Sequence, residues 1–276
     1  MTLQNYSNLT QRIIAALIAV PIVLFAIWYN HWTFFALFTI IAILTQLEFY
    51  KLLKLDDHLP LAAWGTFCGA TIITLTFFVE LEVISFRYYY LVVPLLTTTF
   101  FIKLYKKKDE KPFANLGYTF LGIIYVAMPF ALLIELIIDV NQYKPLLVVG
   151  ILLILWANDS GAYFAGRALG KRKLFERISP KKTWEGFIGG ALLSFLVALL
   201  ISTYFDVVSQ IEWLAVAFII VITGTLGDLV ESLFKRSISI KDSGSVIPGH
   251  GGFLDRFDGL LLSLPFIVTF FKLFGE

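Results

Sequence analysis

Apolar runs of about 20 residues recur along almost the whole chain, with short polar segments between them. A run of this length can cross a hydrocarbon layer of about 30 Å as a single α-helix. No small-residue cleavage site follows the first run, so we interpret it as a retained span and not as a signal peptide. The pattern predicts about nine membrane-spanning helices, at approximately 11–29, 32–50, 60–79, 84–102, 116–138, 145–165, 184–204, 213–233 and 257–274.

Composition supports a membrane protein of the all-α, polytopic class. Hydrophobic residues make up 58% of the chain, against about 45–50% in soluble domains. The single cysteine, Cys68, excludes an internal disulfide. With no long linker or repeat, we expect one integral membrane domain over 1–276, with N-terminal spans in 1–140 and the chemistry-bearing spans in 141–276.

The positive charges predict an orientation. If the N-terminus is cytoplasmic, all but three of the 22 Lys and Arg residues fall on the inner side, the exceptions being Arg87, Lys144 and Lys272. Such an excess is what the positive-inside bias predicts. The polar segments 166–183 and 234–256 would then be cytoplasmic, and the C-terminus would lie outside.

Acidic residues recur near the inner ends of three predicted spans. Asp159 lies in the sixth, Asp228 in the eighth, and Asp255 and Asp258 at the start of the ninth. Ionisable residues at this depth are costly and usually face a polar cavity or a partner. We therefore expect a shared metal-bearing cavity at the cytoplasmic side. The alternative is that these acids only pair with nearby Lys and Arg.

The ligand types indicate which metal such a cavity would hold. Asp228 and Glu231 are three residues apart and share a helix face, and Asp255 and Asp258 have the same spacing. Hard oxygen ligands suit Mg²⁺ or Mn²⁺, which bridge to substrate phosphates, and a second cation is left open. Three histidines and one cysteine make a zinc site improbable.

Two segments are candidates for phosphate binding. Glycines at 249, 251 and 252 surround His250, so backbone N–H groups there could form an anion-binding nest. In 179–186, Pro180 and Thr183 suit a turn, and Lys181 and Lys182 would lie near the positive N-terminus of the next helix.

Three other patterns in the sequence are weaker indications of a functional site. Gly161 and Gly166 have the glycine spacing of a P-loop, but Arg167 follows where Lys-Ser/Thr is required. The basic run 171–177 is compatible with simple contacts to anionic lipid headgroups. We interpret the cluster Lys103–Lys111 as a solvated topological anchor.

Several of these polar motifs resemble those of a known family, the phosphatidate cytidylyltransferases or CDP-diacylglycerol synthases. The resemblance covers roughly the C-terminal 120 residues, whereas the first 140 match only as hydrophobic spans. Its strongest part is Ser232-x-x-Lys235-Arg236, Lys241-Asp242-x-Gly244 and Pro248-Gly249-His250-Gly251-Gly252-x-x-Asp255-Arg256-x-Asp258. Upstream, the similar segments are Asn158-Asp159 with Ala162-Tyr163, Ser179-Pro180-Lys181-Lys182-Thr183-x-Glu185-Gly186, and Gly227-Asp228-x-x-Glu231-Ser232.

The resemblance implies a Mg²⁺-dependent transfer of a cytidylyl group from CTP to phosphatidic acid. It also implies a location in a bacterial plasma membrane and a homodimer, and no nucleic acid is expected as a partner. The expected catalytic residues are Asp228, Asp255, Lys241 and Arg256. The expected metal ligands are Asp228, Asp255, Asp159 and Asp258. The expected substrate-binding residues are Asn158, Ser179, Lys181, Lys182, Lys235, Arg236, His250, Gly251 and Gly252.

Two other functions fit parts of the pattern. A CTP-dependent polyprenol kinase would also need acids and basic loops, but it would release CDP and not pyrophosphate. A secondary transporter would place its acids near the bilayer midplane, whereas here they cluster at one face.

Overall fold

The computed structural model describes residues 8–107, 109–138, 140, 142–240 and 251–275. Most of them lie in helices, and seven helical segments of this described part are long and apolar enough to cross a membrane. The all-α polytopic class is thereby confirmed. The helices are α1 Asn8–Tyr29, α2 His31–Lys54, α3 Ala62–Glu80, α4 Val92–Leu104, α5 Pro112–Gly122, α6 Met128–Ile137, α7 Pro145–Leu169, α8 Trp184–Ser202, α9 Gln210–Ser237 and α10 Leu254–Phe274. A π turn, Ile123–Ala127, joins α5 to α6.

The fourth predicted span, 84–102, is not one α-helix. A 3₁₀ helix, Phe86–Leu91, precedes α4, which has only 13 residues. Pro94 lies in the first turn of α4, where its missing N–H is tolerated. At rises of about 2.0 and 1.5 Å per residue the two pieces together measure about 31 Å, still enough to cross a hydrocarbon layer.

This composite segment runs antiparallel to α3. Near its start, the Tyr89 hydroxyl donates to Thr76 Oγ1 at 3.0 Å. Further along, Trp64 Nε1 at the start of α3 donates to Thr99 Oγ1 at 3.2 Å. The chain therefore returns along the whole of α3, and the segment takes the place of the predicted fourth span.

The described residues form two compact units. One takes its described residues from Met1–Tyr143 and Asp242–Arg256, the other from Lys144–Lys241 and Phe257–Glu276. The single-domain organisation inferred from the sequence stays a prediction.

A polar network joins three helices in the core of the first unit. The Tyr50 side chain is fully buried and its hydroxyl donates to the Thr119 carbonyl at 2.7 Å. Gln46 Nε2 donates to the Tyr50 hydroxyl and to the Gly65 carbonyl, at 3.1 and 3.0 Å. A Cβ at Gly65 would lie 2.3 Å from the Tyr50 oxygen, so glycine there makes room for the ring.

The environment of Lys103 contradicts the interpretation of this residue as part of a solvated anchor. It is only 5% exposed, donates to the Leu59 carbonyl at 2.7 Å and forms an ion pair with Asp109. Asp109 also accepts from Asn115 Nδ2 at 2.7 Å and from the Lys111 N–H at 3.0 Å. A solvated anchor is therefore the wrong description of Lys103, because Asp109 supplies a buried countercharge from the same segment.

Small residues allow close packing in the second unit. A Cβ at Gly161 of α7 would lie 2.6 Å from the Gly189 carbonyl oxygen of α8. A Cβ at Gly186 would lie 2.9 Å from the Ala162 carbonyl oxygen. Small residues of this kind bring membrane helices into backbone contact. Gly161 therefore serves helix packing here.

A short antiparallel hairpin joins α7 to α8. Its strands are β1 Lys173–Phe175 and β2 Ser179–Thr183, so the segment that the sequence predicted as a turn is mostly a strand. Thr183 caps α8, accepting from the Gly186 N–H at 3.1 Å. Glu185 accepts from the backbone N–H groups of Lys171 and Arg172, at 3.1 and 3.2 Å. These contacts fix the hairpin against the start of α8.

The Lys103–Asp109 pair gives a first prediction. Asp109→Asn leaves the buried ammonium group without a countercharge, which we expect to lower the free energy of unfolding by about 3 kcal/mol. Unfolding of the purified protein in detergent would measure this. The double variant Lys103→Met/Asp109→Asn should recover part of the loss, and equal stabilities for the wild type and Asp109→Asn would contradict the prediction.

The same pair has a defined pH dependence. Burial raises the pKa of Asp109, but hydrogen bonds from Lys103, Asn115 and the Lys111 N–H outweigh it and lower the pKa below its ordinary value of 3.8. For a carboxyl with a lowered pKa, the stability is complete above the ordinary value and is lost as the pH falls through the lower one. The wild type and Asp109→Asn should thus differ by a constant amount near neutral pH and converge only in strong acid.

Candidate active site

Three carboxylates meet where α9 packs on α10. One oxygen each of Asp228, Glu231 and Asp258 lies within 4.8 Å of the others. Asp228 and Glu231 face the same way because they are three residues apart on α9. Gly227 lets α10 approach, since a Cβ there would lie 2.7 Å from the Asp258 carbonyl oxygen. The site thus depends on backbone contact between the two helices.

Two lysines pair with these acids. Lys182 Nζ lies 2.7 Å from Asp228 Oδ2, and Lys235 Nζ lies 2.7 Å from Glu231 Oε2. The Ser232 hydroxyl donates to Asp228 Oδ1 at 3.3 Å. Asp228 therefore has the lysine partner that the alternative interpretation required, and it also belongs to a carboxylate cluster. Pairing with lysine is therefore not the whole environment of Asp228.

The donor set fits a divalent cation. Three carboxylates on two packed helices supply hard oxygen ligands of the kind that Mg²⁺ takes together with water and substrate phosphates. Of the four predicted metal ligands, the cluster contains Asp228 and Asp258. It also contains Glu231, whose spacing from Asp228 signalled a shared face in the sequence.

A cavity of about 430 Å³ opens beside Asp228, among α7, the hairpin, α8 and α9. Asn158 is buried at its wall, 3% exposed, while Asp159 is exposed. The sequence had not assigned a role to two further lining residues, Tyr163 and Arg167, which are joined by a 3.1 Å hydrogen bond from Arg167 Nη1 to the tyrosine oxygen. The predicted site residues that line the cavity are Asn158, Asp159, Lys181, Lys182 and Asp228.

Other predicted residues lie elsewhere in the described chain. Ser179 is half-buried at the start of β2, opposite Phe175, and is not part of the cavity wall. Arg236 is exposed in the last turn of α9. Lys241 and His250 fall outside the described residues, so their roles stay predictions.

The glycine turn before α10 is built around Asp255. Gly251 has φ +81°, and a Cβ there would lie 2.6 Å from Asp255 Oδ2. The Gly252 N–H donates to the same oxygen at 3.1 Å. Glycine at 251 is thus required both by the positive φ and by the close approach of the carboxylate. Arg256, exposed, follows in the first turn of α10.

Sequence reasoning missed one contact of this turn. Glu48 of α2 accepts from the Phe253 N–H at 2.8 Å and from the Leu254 N–H at 3.3 Å, and it is only 6% exposed. A single acid inside an apolar span is a signal that could have identified it.

This integral membrane protein places carboxylates and lysines around one cavity, and such groups are used elsewhere to bind a divalent cation and phosphate groups. Comparison with known proteins makes this class specific. Residues 10–274 match the sequence model of the cytidylyltransferase family. The chain belongs to that family, which confirms the resemblance found in its C-terminal motifs.

Several curated relatives are similar to this chain. The phosphatidate cytidylyltransferase of Bacillus subtilis (strain 168) is 43% identical over 173 residues, which cover 61% of this chain and 62% of the relative. That of Staphylococcus epidermidis (strain ATCC 12228 / FDA PCI 1200) is 42% identical over 162 residues, or 58% and 60%. That of Staphylococcus aureus (strain COL) is 40% identical, with the same coverage. The match thus spans about three fifths of the length of these relatives.

Packing of α9 on α10 gives the prediction for this site. Gly227→Ala should force the helices apart and move Asp228 away from Asp258, since the added Cβ meets backbone that cannot rotate away. We expect a lower melting temperature and at least tenfold weaker Mn²⁺ binding, measured by electron paramagnetic resonance of the free ion.

Gly224→Ala is the matched control on the same helix. Its added Cβ would lie 3.4 Å from Leu155 and 3.6 Å from Ser263, which is ordinary contact. This variant should bind Mn²⁺ like the wild type. Equal behaviour of the two alanine variants would show that close approach at Gly227 does not hold the cluster together.

Proposed function

We propose that this chain transfers the cytidylyl group of CTP to phosphatidic acid, giving CDP-diacylglycerol and pyrophosphate. The observation that carries the proposal is the cluster of Asp228, Glu231 and Asp258 beside a lysine-bearing cavity. Family membership and the names of the bacterial relatives support it. The expected roles of Asp255, Lys241, Arg256 and His250 belong to the same proposal.

The reaction is an in-line displacement at phosphorus. An oxygen of the lipid phosphate attacks the α-phosphorus of CTP, and the bond from that phosphorus to the bridging oxygen of the β-phosphate breaks, so pyrophosphate leaves with the electron pair. A phosphomonoester has a second pKa near 6. The lipid phosphate is therefore largely dianionic at neutral pH and needs little help from a general base.

The harder task for the protein is to bring two polyanions together. Lys181 and Lys182 would bind phosphate oxygens from the hairpin side of the cavity, with Lys235 and Arg236 at the end of α9. A divalent cation, Mg²⁺ or Mn²⁺, held by Asp228, Glu231 and Asp258 would screen the repulsion and stabilise the leaving pyrophosphate. Asp159 and Asp255 stay candidates for additional ligands.

We also propose the predicted membrane orientation, with the N-terminus and the site in the cytoplasm of a bacterial plasma membrane and the C-terminus outside. The positive-inside bias supports it. In the first unit, the Lys103–Leu59 contact adds support, since it puts the basic end of α4 beside the α2–α3 loop. Cytosolic CTP would then meet a lipid headgroup at the inner leaflet. A homodimer is a further part of the proposal.

The test uses purified protein in mixed micelles with phosphatidic acid, Mg²⁺ and CTP labelled with ³²P at the α-phosphate. We expect label in the organic phase and an equal amount of pyrophosphate. Formation of CDP with an added polyprenol, without lipid-phase label from phosphatidic acid, would favour a kinase and overturn the proposal.

The role of Asp228 has its own prediction. Asp228→Asn keeps the shape of the side chain but removes the charge that faces Lys182 and a cation, so we expect kcat to fall at least 100-fold. Asp206→Asn, in the α8–α9 connection and outside the cavity wall, is the control and should keep wild-type turnover. Wild-type turnover by Asp228→Asn with Mg²⁺ would exclude the metal role.

A further inference from the structure

Glu48 is a buried acid to which the proposed chemistry gives no task. It is the single acidic residue of α2, a helix of otherwise apolar and weakly polar residues with lysines only in its last turn. Its side chain is at most slightly exposed, since the residue as a whole is 6% exposed. A carboxyl group in such a place is costly, and the contacts that it makes offset this cost.

Those contacts are with the backbone that leads into α10. The first N–H groups of a helix have no partner inside the helix, and its N-terminus carries a partial positive charge. The two oxygens of Glu48 accept from the consecutive N–H groups of Phe253 and Leu254, at 2.8 and 3.3 Å. Glu48 therefore binds the N-terminus of α10 with both oxygens.

The segment held in this way carries the proposed catalytic residues. Asp255 and Arg256 follow Leu254 directly. On the other side, Asp255 Oδ2 accepts from the Gly252 N–H, so the turn is tied from within by Asp255 and from outside by Glu48. Its glycine at 251, with φ +81°, has few steric restraints of its own. The contact from Glu48 thus joins the turn to α2 of the same unit.

We propose that Glu48 is a positioning residue for the reaction, holding residues 252–254 so that Asp255 and Arg256 start α10 in one fixed place. This inference rests on the proposed function. Through this contact, a residue of the N-terminal spans would act on the reaction.

The N-terminus of α9 shows how the role of Glu48 differs from ordinary capping of a helix. Helix α9 is capped locally: Ser209 and Glu212 form a capping box, with the Ser209 N–H donating to Glu212 Oε2 at 2.7 Å. Glu212 is also buried, at 8% exposed. Helix α10 instead takes its acceptor from 205 residues earlier in the chain. Glu212 is therefore a matched control, a buried glutamate that caps the N-terminus of its own helix.

The first measurement is hydrogen exchange of the peptide that contains residues 251–256, followed by mass spectrometry. Glu48→Ala should speed exchange of the Phe253 and Leu254 amides at least tenfold. Glu48→Gln keeps one acceptor oxygen and should give an intermediate rate, while Glu212→Ala should leave this peptide at the wild-type rate. Unchanged exchange in Glu48→Ala would overturn the proposal, and this result does not depend on any activity.

The second measurement is cytidylyl transfer by the same proteins. We expect kcat/KM to fall at least tenfold in Glu48→Ala, to return to within about threefold of wild type in Glu48→Gln, and to stay unchanged in Glu212→Ala at a similar loss of melting temperature. If Glu48→Ala does not fold, exchange and kcat/KM of Glu48→Gln decide. A loosened turn with wild-type kcat/KM would reduce Glu48 to a structural cap and overturn the positioning role.

The exchange and activity measurements distinguish failure of the proposed function from failure of the positioning role of Glu48. A wild-type protein without cytidylyl transfer would refute the proposed function, and the exchange arm would still show whether Glu48 holds the turn. An active wild type with a fully active Glu48→Ala would leave the proposed function intact and refute the positioning role alone.

Discussion

In this apolar chain, buried charged side chains need partners, and these contacts help to determine where the polar segments lie. Charged side chains join separate parts of the chain. Lys103, which is paired with Asp109, donates to the Leu59 carbonyl of the α2–α3 loop, and Lys182 of the hairpin pairs with Asp228 of α9. Leaving the buried Lys103 ammonium group without Asp109 would cost several kcal/mol, whereas the Lys182–Asp228 pair is partly exposed. The hydrophobic spans thus form most of the fold, and the contacts of charged side chains help to determine which helix ends and loops lie together.

Close backbone contact is the second constraint, because ion pairs can form only if the helices approach. Glycines at 161 and 186 bring α7 and α8 together, and Gly227 does the same for α9 and α10. A carboxylate is a short side chain, so acids on two helices share one site only when their backbones nearly touch. The predicted sensitivity of the cluster to Gly227→Ala follows from this geometry.

Sequence was sufficient wherever a local pattern carried the information. Hydropathy predicted the helices that are long and apolar enough to cross a membrane. The shared depth of the acids predicted one cavity for Asp159, Asp228, Asp255 and Asp258, of which Asp228 and Asp258 lie in one carboxylate cluster with Glu231. The contacts of Lys103 with Leu59 and of Glu48 with Phe253 were not predictable, because each depends on which distant segment packs nearby. The 3₁₀ start of the fourth span was missed because hydropathy does not register the hydrogen-bonding pattern of a helix.

The charges of the site also explain why its acids and lysines must act together. With all groups ionised, three carboxylates facing two ammonium groups leave one excess negative charge. Such a site would repel CTP, whose triphosphate is itself strongly negative. Phosphate binding there requires additional positive charge, which a divalent cation would supply and which lysines already paired with acids cannot supply alone. If the chain has the proposed activity, the carboxylates would serve nucleotide binding through a cation, whereas Lys181, which is exposed at the cavity wall, would bind phosphate directly.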